Sequence, residues 1–232
     1  MKRLVEKHPL AIRWFHWINF PLLFVMIWSG LMIYWADSDK GLVNGVYRIG
    51  WGQTTLFHFF PPGFWRALGL EFGLARGMSW HFFFVWFFAI NGLLYALYLI
   101  ISGEWRLLVP SRRDFVGAFQ VVLHDLHLRK TPPPFVKYNP AQRIAYTLVV
   151  LMGGASLVTG LAIYRPVQLG WLTRILGGYQ WARWEHFWLT MGFVLFFVIH
   201  VLQVMRAGWS NFRSMIAGVE IKETPEGTHD KP

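Results

Sequence analysis

The chain has 232 residues, of which 55 % are hydrophobic, 19 % are aromatic and only 15 % are charged. This composition excludes an ordinary soluble domain and indicates an integral membrane protein. The formal net charge is +10, yet the basic residues flank apolar segments and form no separate basic stripe, so nucleic-acid binding is not predicted.

Four segments without Asp, Glu, Lys or Arg are long enough to cross about 30 Å of hydrocarbon as helices. In chain order they are residues 14–36, 77–103, 144–164 and 186–205. We therefore predict an all-α fold, an integral membrane four-helix bundle, with residues 1–218 as a single domain. No small-residue cleavage pattern follows the first segment, so it is predicted to be a true span. Residues 219–232 are charged and poor in apolar side chains, which predicts a disordered tail.

The basic residues set the expected orientation. Of the 22 Lys and Arg residues, 15 lie in the N-terminal tail, the loop after the second span and the C-terminal tail. Because basic loops are retained in the cytoplasm, both termini are predicted to face the cytoplasm. The same charge should attract anionic membrane lipid.

Two loops have helical or interfacial character. The outer loop, residues 37–76, is rich in Trp and Phe and suits a segment at the membrane interface, either as a docking surface or as a cap over the site beneath it. His58 in this loop is expected to be an interfacial residue. The cytoplasmic loop contains DFVGAFQVVLHDLHLRK, which predicts a helix on the membrane surface. Its His124, Asp125 and His127 form either a solvated face or a proton path.

The first and third spans resemble each other when they are shifted by 130 positions. Residues 29–34, SGLMIY, then match residues 159–164, TGLAIY, and His16 falls on Tyr146. The alternative is that apolar helices resemble one another by composition alone.

The second and fourth spans match at an offset of 105 positions. His81 falls on His186, and Tyr95 falls on His200. The two offsets together predict a duplicated two-helix unit, arranged as a parallel repeat about an axis along the membrane normal.

His186 and His200 lie fourteen residues apart in the fourth span, which is almost four helical turns. Both rings therefore leave the same face, roughly 21 Å apart along the helix axis at 1.5 Å per residue. Ionisable residues at membrane depth usually mark function, although each ring could instead be a polar residue satisfied by a neighbouring helix.

Depth along the spans pairs the four candidate histidines. His81 and His186 lie near the outer surface, whereas His16 and His200 lie near the inner surface. We predict that each pair supplies the two axial ligands of one haem. Because both axial positions are then filled, the iron would pass one electron and would not bind a substrate.

Haem also needs space and partners for its propionates. Because the chain has no cysteine, covalent c-type attachment is excluded, so both haems are predicted to be b-type. Gly30 and Gly160 are predicted to let the outer ring approach the helix backbone, although small residues are common at membrane helix contacts. Arg13, one turn before His16, is predicted to bind a propionate, although snorkelling to lipid headgroups explains it equally well.

These residues resemble a known family. The segments AIRWFHW, WSGLMIYW, SWHFFF and WEHFWLTMGFVLFFVIHV are similar to those of the di-haem cytochrome b subunits of Ni,Fe-hydrogenases, formate dehydrogenases and prokaryotic cytochrome b561. The resemblance covers residues 8 to about 215 and is greatest to the thiosulfate-reductase-type cytochrome b subunits. It implies a four-helix bundle with two b haems that exchanges electrons with a membrane quinone. The long outer loop and the HDLH segment depart from shorter members of the family.

The predicted function is transmembrane electron transfer through two b haems, between the quinone pool and a periplasmic redox enzyme. The resemblance points to a molybdopterin enzyme as this partner, and the direction of electron flow stays open. One alternative is a self-contained membrane superoxide:quinone oxidoreductase. Another is a transporter that uses the histidines for protons or metal ions and shows no visible absorption. No catalytic residue is predicted, and a homo-oligomer is compatible with the sequence.

Overall fold

A computed structural model describes residues 2–39, 48–51, 54–60, 62–131, 134 and 137–223. The chain divides into two compact units, one formed by Met1–Trp14 with Gly92–Pro232 and the other by Phe15–Asn91. In chain order the elements are β1 Lys2–Glu6, α1 Leu10–Asp39, β2 Arg48–Trp51, β3 Thr54–His58, α2 Pro62–Ala67, α3 Leu74–Ser102, α4 Trp105–Leu108, α5 Arg112–Asp125, α6 Pro140–Tyr164, α7 Gly170–Ile175, α8 Tyr179–Ala217 and β4 Val219–Glu223.

Four of these helices are long and apolar enough to cross a membrane: α1, α3, α6 and α8. Three of them contain a predicted span in full, and α3 ends at Ser102, one residue before the predicted end of its span; each helix begins three to seven residues before its span. The predicted all-α, four-span architecture is confirmed. The prediction that residues 1–218 form one domain stays a prediction.

Helix α8 is longer than the span predicted within it. The predicted span ends at residue 205, but the helix continues to Ala217 with one interruption at Gly208, whose φ of 80° and ψ of 175° are not helical. Glycine adopts a positive φ without a steric penalty, so the chain can bend there and resume a helix. A second glycine, Gly218, ends the helix in the left-handed conformation and donates its backbone N–H to the Ser214 carbonyl oxygen.

Part of the outer loop folds back on α1 within the unit Phe15–Asn91. Met32, Trp35 and Ala36 of α1 form a buried cluster with Trp65 of α2 and Leu70. Strands β2 and β3 of the same loop pair antiparallel. The predicted interfacial loop therefore contains a small packed core. Residues 40–47 of this loop lie outside the described part of the chain.

In the other unit, α5 packs closely against α6. A Cβ atom added to Gly117 would lie 2.7 Å from Cγ of Pro140, so only glycine fits this contact. Arg143 of α6 also donates to Asp114 Oδ2 at 2.8 Å, to the Leu107 carbonyl oxygen at 3.1 Å and to the Val109 carbonyl oxygen. Arg143 thus ties the cytoplasmic loop to α6.

The two ends of the described chain pair with each other. Strand β1 is antiparallel to β4, with Lys2 opposite Glu223 and Glu6 opposite Val219. This pairing places both ends on one side of the membrane, as an even number of spans requires. Residues 219–223 were predicted to belong to a disordered tail, but they form β4. Their alternating VEIKE pattern finds its partner at the opposite end of the sequence, which local composition does not reveal.

Candidate functional site

The His81 ring is held by a buried hydroxyl group. Ser29 Oγ of α1 lies 3.0 Å from His81 Nδ1 of α3, and Ser29 is fully buried. The same hydroxyl lies 2.7 Å from the Val25 carbonyl oxygen one turn earlier. Serine in a helix commonly forms this bond back to the preceding turn. Ser29 therefore connects the α1 backbone to the His81 imidazole.

The His186 ring is held in the same way in the other unit. Thr159 Oγ1 of α6 lies 2.9 Å from His186 Nδ1 of α8, and Thr159 is buried. Its hydroxyl lies 2.8 Å from the Ala155 carbonyl oxygen. Ser29 and Thr159 are matched by the offset of 130 positions, and His81 and His186 by the offset of 105 positions. The residue pairs that the predicted duplication matches therefore make the same hydrogen bonds.

The hydrogen bonds fix which ring nitrogen carries the proton. A hydroxyl group has one proton to donate, and in both pairs the short contact to a backbone carbonyl takes it, since a carbonyl can only accept. The hydroxyl oxygen must therefore accept from Nδ1–H of the histidine. In the neutral ring, Nε2 then keeps its lone pair for a metal ion.

Gly30 and Gly160 lie beside these two rings. A Cβ atom at Gly30 would lie 3.5 Å from His81 Cε1, and one at Gly160 would lie 3.3 Å from His186 Cε1. The imidazole rings therefore pack against the glycine backbone. The predicted contact of these two glycines with haem stays a prediction, and contact with histidine is the role that the geometry gives them.

Sequence reasoning missed Ser29, Thr159 and Gly77. A Cβ atom at Gly77 would lie 2.7 Å from Cβ of Met32 and 3.0 Å from the Ser29 carbonyl oxygen, so α3 and α1 approach closely there. Gly77 precedes His81 by one turn, and the close approach brings His81 to Ser29. The signal available in the sequence was the repeated pair of a hydroxyl residue and a glycine at 29–30 and 159–160.

The two inner histidines have aromatic neighbours. The His16 ring meets Trp17 edge to face at 5.1 Å between centroids. The His200 ring stacks on Phe196 at 5.5 Å, with the planes 16° apart. His16 lies in the unit Phe15–Asn91 and His200 in the other unit, as do His81 and His186 respectively. The predicted pairing of these histidines stays a prediction.

Arg13 contacts the end of α8. Its Nη1 donates to the Ile216 carbonyl oxygen at 2.5 Å, and its guanidinium lies against Gly218, where an added Cβ would come within 2.9 Å of Cζ. A cation at the last turn of a helix compensates the unsatisfied carbonyl groups. This position gives Arg13 a structural partner, and the predicted bond to a haem propionate stays a prediction.

The predicted proton-path residues lie near the end of α5. Asp125 Oδ2 accepts from Gln203 Nε2 at 2.7 Å and lies 3.3 Å from Arg206 Nη1, so it connects α5 to α8. His124 Nδ1 lies 3.7 Å from Asp125 Oδ1, and His127 is exposed with a φ of 60°. Asp125 is therefore more than a solvated residue, because it holds the cytoplasmic helix beside the stretch of α8 that follows His200. His58 ends β3, and its side chain lies outside the described part of the structure.

Two ionisable groups near the cytoplasmic ends of the spans have shifted pKa values. Hydrogen bonding from the Ser111 side chain, together with the nearby Arg143 guanidinium, lowers the pKa of Asp114. Burial, and next the nearby Glu104 carboxylate, raises the pKa of Tyr138 to about 12. Asp114 is therefore ionised and Tyr138 is neutral at physiological pH. The carboxylate can act as a permanent anchor for Arg143.

The chemistry of His81 and His186 fits haem iron. A neutral imidazole with one nitrogen hydrogen-bonded and the other available is the usual form of a histidine ligand. Both rings have this form, each held by a buried hydroxyl group. His200 lies fourteen residues after His186 on α8, roughly 21 Å away along the helix axis.

Comparison with known proteins agrees with this chemistry. The family model described as prokaryotic cytochrome b561 matches residues 7–218. The chain is also similar to a protein named "Putative protein-methionine-sulfoxide reductase subunit YedZ1" from Azospira oryzae (strain ATCC BAA-33 / DSM 13638 / PS). The two are 29 % identical over 205 residues, which cover 88 % of this chain and 92 % of that protein. The family resemblance predicted from the histidine segments is confirmed.

Proposed function

Because the chain belongs to the prokaryotic cytochrome b561 family, we propose that it carries electrons between the membrane quinone pool and a periplasmic oxidoreductase through two b-type haems. Membership of the family makes it a multi-pass haem protein of the bacterial inner membrane that takes part in electron transport. Beyond what family membership shows, we propose the number of haems, the residues that bind them, the quinone and the partner.

We assign His81 and His186 to an outer haem and His16 and His200 to an inner haem. The main support is the repeated pair of a hydroxyl group and an imidazole, which prepares one histidine in each half of the duplication as a ligand. The depth of each histidine along its own span supports the pairing. An iron with two imidazole ligands supplies one-electron transfer.

The residues of the chain hold these rings in place. The buried hydroxyl groups of Ser29 and Thr159 fix His81 and His186, and Phe196 stacks on His200. With a haem held by each pair of histidines, the chain would offer electrons a path between the two sides of the membrane.

The proposed partner is suggested by the similar protein from Azospira oryzae. The name of that protein describes it as a putative subunit of a protein-methionine-sulfoxide reductase. A subunit requires a second protein, which favours the partnered function over a self-contained superoxide:quinone oxidoreductase. We propose that electrons flow from quinol outward to such a periplasmic reductase, with a molybdopterin enzyme as the expected type. The Trp- and Phe-rich outer loop is the proposed docking surface.

We place the quinone site on the cytoplasmic side, next to His200. The support is a polar group in which Gln203 and Arg206, from the two turns of α8 after His200, meet the Asp125 carboxylate at the end of α5. His124 beside Asp125 would connect this group to water.

Haem content tests the proposal first. A pyridine haemochrome assay on the purified protein should give two b haems per chain. Alanine substitution of His16, His81, His186 or His200 should each remove one haem from the spectrum. His127→Ala is the matched control, since this histidine is exposed and lies outside the spans. One haem per chain would break the pairing, and none would remove the function.

Electron entry tests the quinone site. In proteoliposomes, a quinol analogue should reduce both haems of the wild-type protein. His200→Ala should abolish this reduction, while dithionite should still reduce the outer haem. Rapid quinol-dependent haem reduction in His200→Ala would exclude a site beside the inner haem. Quinone reduction driven by superoxide at a high rate, without any partner, would favour the self-contained enzyme.

A further inference from the structure

We propose that Ser29 and Thr159 are positioning residues that fix the ring orientation and the Nδ1–H tautomer of His81 and His186, and thereby lower the redox potential of the outer haem. This inference rests on the proposed function, because it takes these two histidines as the ligands of one haem.

The hydrogen bonds around the Ser29 hydroxyl group determine the tautomer of His81. Ser29 Oγ has the Val25 carbonyl oxygen at 2.7 Å and His81 Nδ1 at 3.0 Å. Its single proton goes to the carbonyl, so the only arrangement that satisfies both contacts has Nδ1–H donating to the hydroxyl oxygen. In a buried site a mispaired polar group is costly, so the pairing holds the ring in one tautomer.

The same pair of contacts, from a hydroxyl group to a carbonyl and to an imidazole, occurs a second time at Thr159. The contacts of Thr159 with the Ala155 carbonyl and His186 Nδ1 are 2.8 and 2.9 Å, each within 0.1 Å of the matching contact of Ser29. Serine and threonine share the hydroxyl group and differ in a methyl group. The duplicated feature is therefore the hydroxyl group itself.

Two other hydroxyl groups lie in α3 and α8, the helices that carry the histidines. They show that a hydrogen bond to the preceding helical turn does not by itself bring a hydroxyl group to an imidazole nitrogen. Ser79 of α3 donates to the Ala75 carbonyl oxygen at 2.9 Å and is exposed. Thr190 of α8 donates to the backbone carbonyl oxygen of His186 at 3.0 Å, not to its ring. These residues have the same local bond and no role toward an imidazole nitrogen, so they are matched controls.

The expected effect on the iron follows from the direction of the hydrogen bond. A ring that donates from Nδ1–H becomes a stronger electron donor at Nε2. The hydroxyl oxygen is a better acceptor because it donates its own proton to a carbonyl. A stronger donor favours ferric iron over ferrous iron. Removing either hydroxyl group should therefore make the outer haem easier to reduce.

The experiment is a spectroelectrochemical titration of the holoprotein in detergent, with Ser29→Ala, Thr159→Val and the double variant. Thr159→Val keeps the branched shape and removes only the hydroxyl group. At a fixed ambient potential, each single variant should raise the ferrous-to-ferric ratio of the outer haem roughly threefold to tenfold, somewhat less than the about 10–100-fold by which losing the partner of a ligand changes metal affinity or activity. The double variant should shift it further. The inner haem should not change. The spectral component that is lost in His81→Ala identifies the outer haem.

Conservative variants separate the hydroxyl group from packing. Ser29→Thr and Thr159→Ser keep the hydroxyl group and should titrate like the wild type, as should Ser79→Ala and Thr190→Val. If Ser29→Ala loses the outer haem altogether while Ser29→Thr keeps it, the hydroxyl role is supported. If both lose it, packing and not the hydrogen bond is responsible, and the inference fails.

The outcomes also separate this inference from the proposed function. Two haems per chain with an unchanged titration in Ser29→Ala, Thr159→Val and the double variant would overturn the positioning role and leave the proposed ligands in place. A wild-type protein without two haems would overturn the proposed function itself.

Discussion

The two copies of the duplicated unit hold their histidines alike but pack their helices differently. In the copy with His81, α3 meets α1 through Gly77, against Met32. In the copy with His186, the two matching positions are Ala182 and Ala162, which are both buried. Gly77 in the first copy thus corresponds to Ala182 in the second, and Met32 corresponds to Ala162. The hydroxyl–imidazole distances agree within 0.1 Å all the same. Side-chain volume at the helix contacts has diverged, whereas the geometry around the imidazoles has not.

The largest expected effect comes from filling the tight contact of the first copy. Gly77→Ala would place Cβ 2.7 Å from Cβ of Met32 and 3.0 Å from a backbone oxygen, and neither neighbour can rotate away. We expect a loss of about 1–3 kcal/mol in the free energy of unfolding, and a weakened outer haem, because α3 must move away from Ser29. Thermal denaturation in detergent, followed by the Soret band, measures both.

Gly192→Ala in the second copy is the control for this prediction. Its added Cβ would meet Sδ of Met152 at 2.9 Å, the mobile end of a flexible side chain. The thermal stability should change little, since Met152 can adopt another rotamer. If Gly77→Ala were as stable as the wild type, the two copies would not differ in packing as described.

An intermediate effect is expected at the glycines beside the rings. Gly160→Ala places Cβ 3.3 Å from His186 Cε1, so the ring must shift by a few tenths of an ångström, whereas Gly30→Ala makes ordinary contact with His81 at 3.5 Å. We expect Gly160→Ala to change the low-temperature EPR signal of the outer haem more than Gly30→Ala does. Replacing glycine by alanine within a helix also stabilises it by about 0.5–1 kcal/mol, so Gly30→Ala should be neutral or slightly stabilising. Equal EPR changes in both variants would show that the ring contacts do not differ.

The smallest effect is expected when the two hydroxyl residues are exchanged. The variant with Ser29→Thr and Thr159→Ser keeps both hydroxyl groups and moves one methyl group from one copy to the other. Its haem content should stay at the wild-type value, and its unfolding free energy should change by less than about 1 kcal/mol. Loss of the outer haem in this variant would mean that the methyl group of Thr159 is needed for packing around His186.

The sequence predicted the four spans because an uncharged, apolar segment of about 20 residues is typical of a transmembrane helix. It also predicted four candidate ligands, because histidines are rare at membrane depth and their depths along the spans fall into two pairs. It did not predict Ser29 or Thr159 as their partners. A serine or threonine in a membrane helix can satisfy itself by bonding to the preceding turn, so its contact with a distant ring depends on how two helices pack. Gly77 was missed for the same reason, since its close neighbours belong to another helix.

Strands β1 and β4 were also missed, because they pair across almost the whole length of the chain. The same distance in sequence accounts for the way α8 ends and for the role of Arg13. The predicted span ends at residue 205, whereas the helix continues to Ala217, and the N-terminal segment supplies Arg13 to the carbonyl of Ile216. The N-terminal segment thus supports a helix end that local sequence alone would leave unsupported.

The pairing of β1 with β4 has a consequence for biosynthesis. Lys2 leaves the ribosome long before Glu223, so β1 has no partner until the fourth helix has been synthesised. Until then its backbone N–H and C=O groups are open to other extended chains, as at any unpaired strand edge. Formation of the β1–β4 ladder therefore marks a polypeptide whose insertion is finished. A nascent chain that stalls before β4 would carry an exposed strand at its cytoplasmic end, which quality-control proteases could recognise.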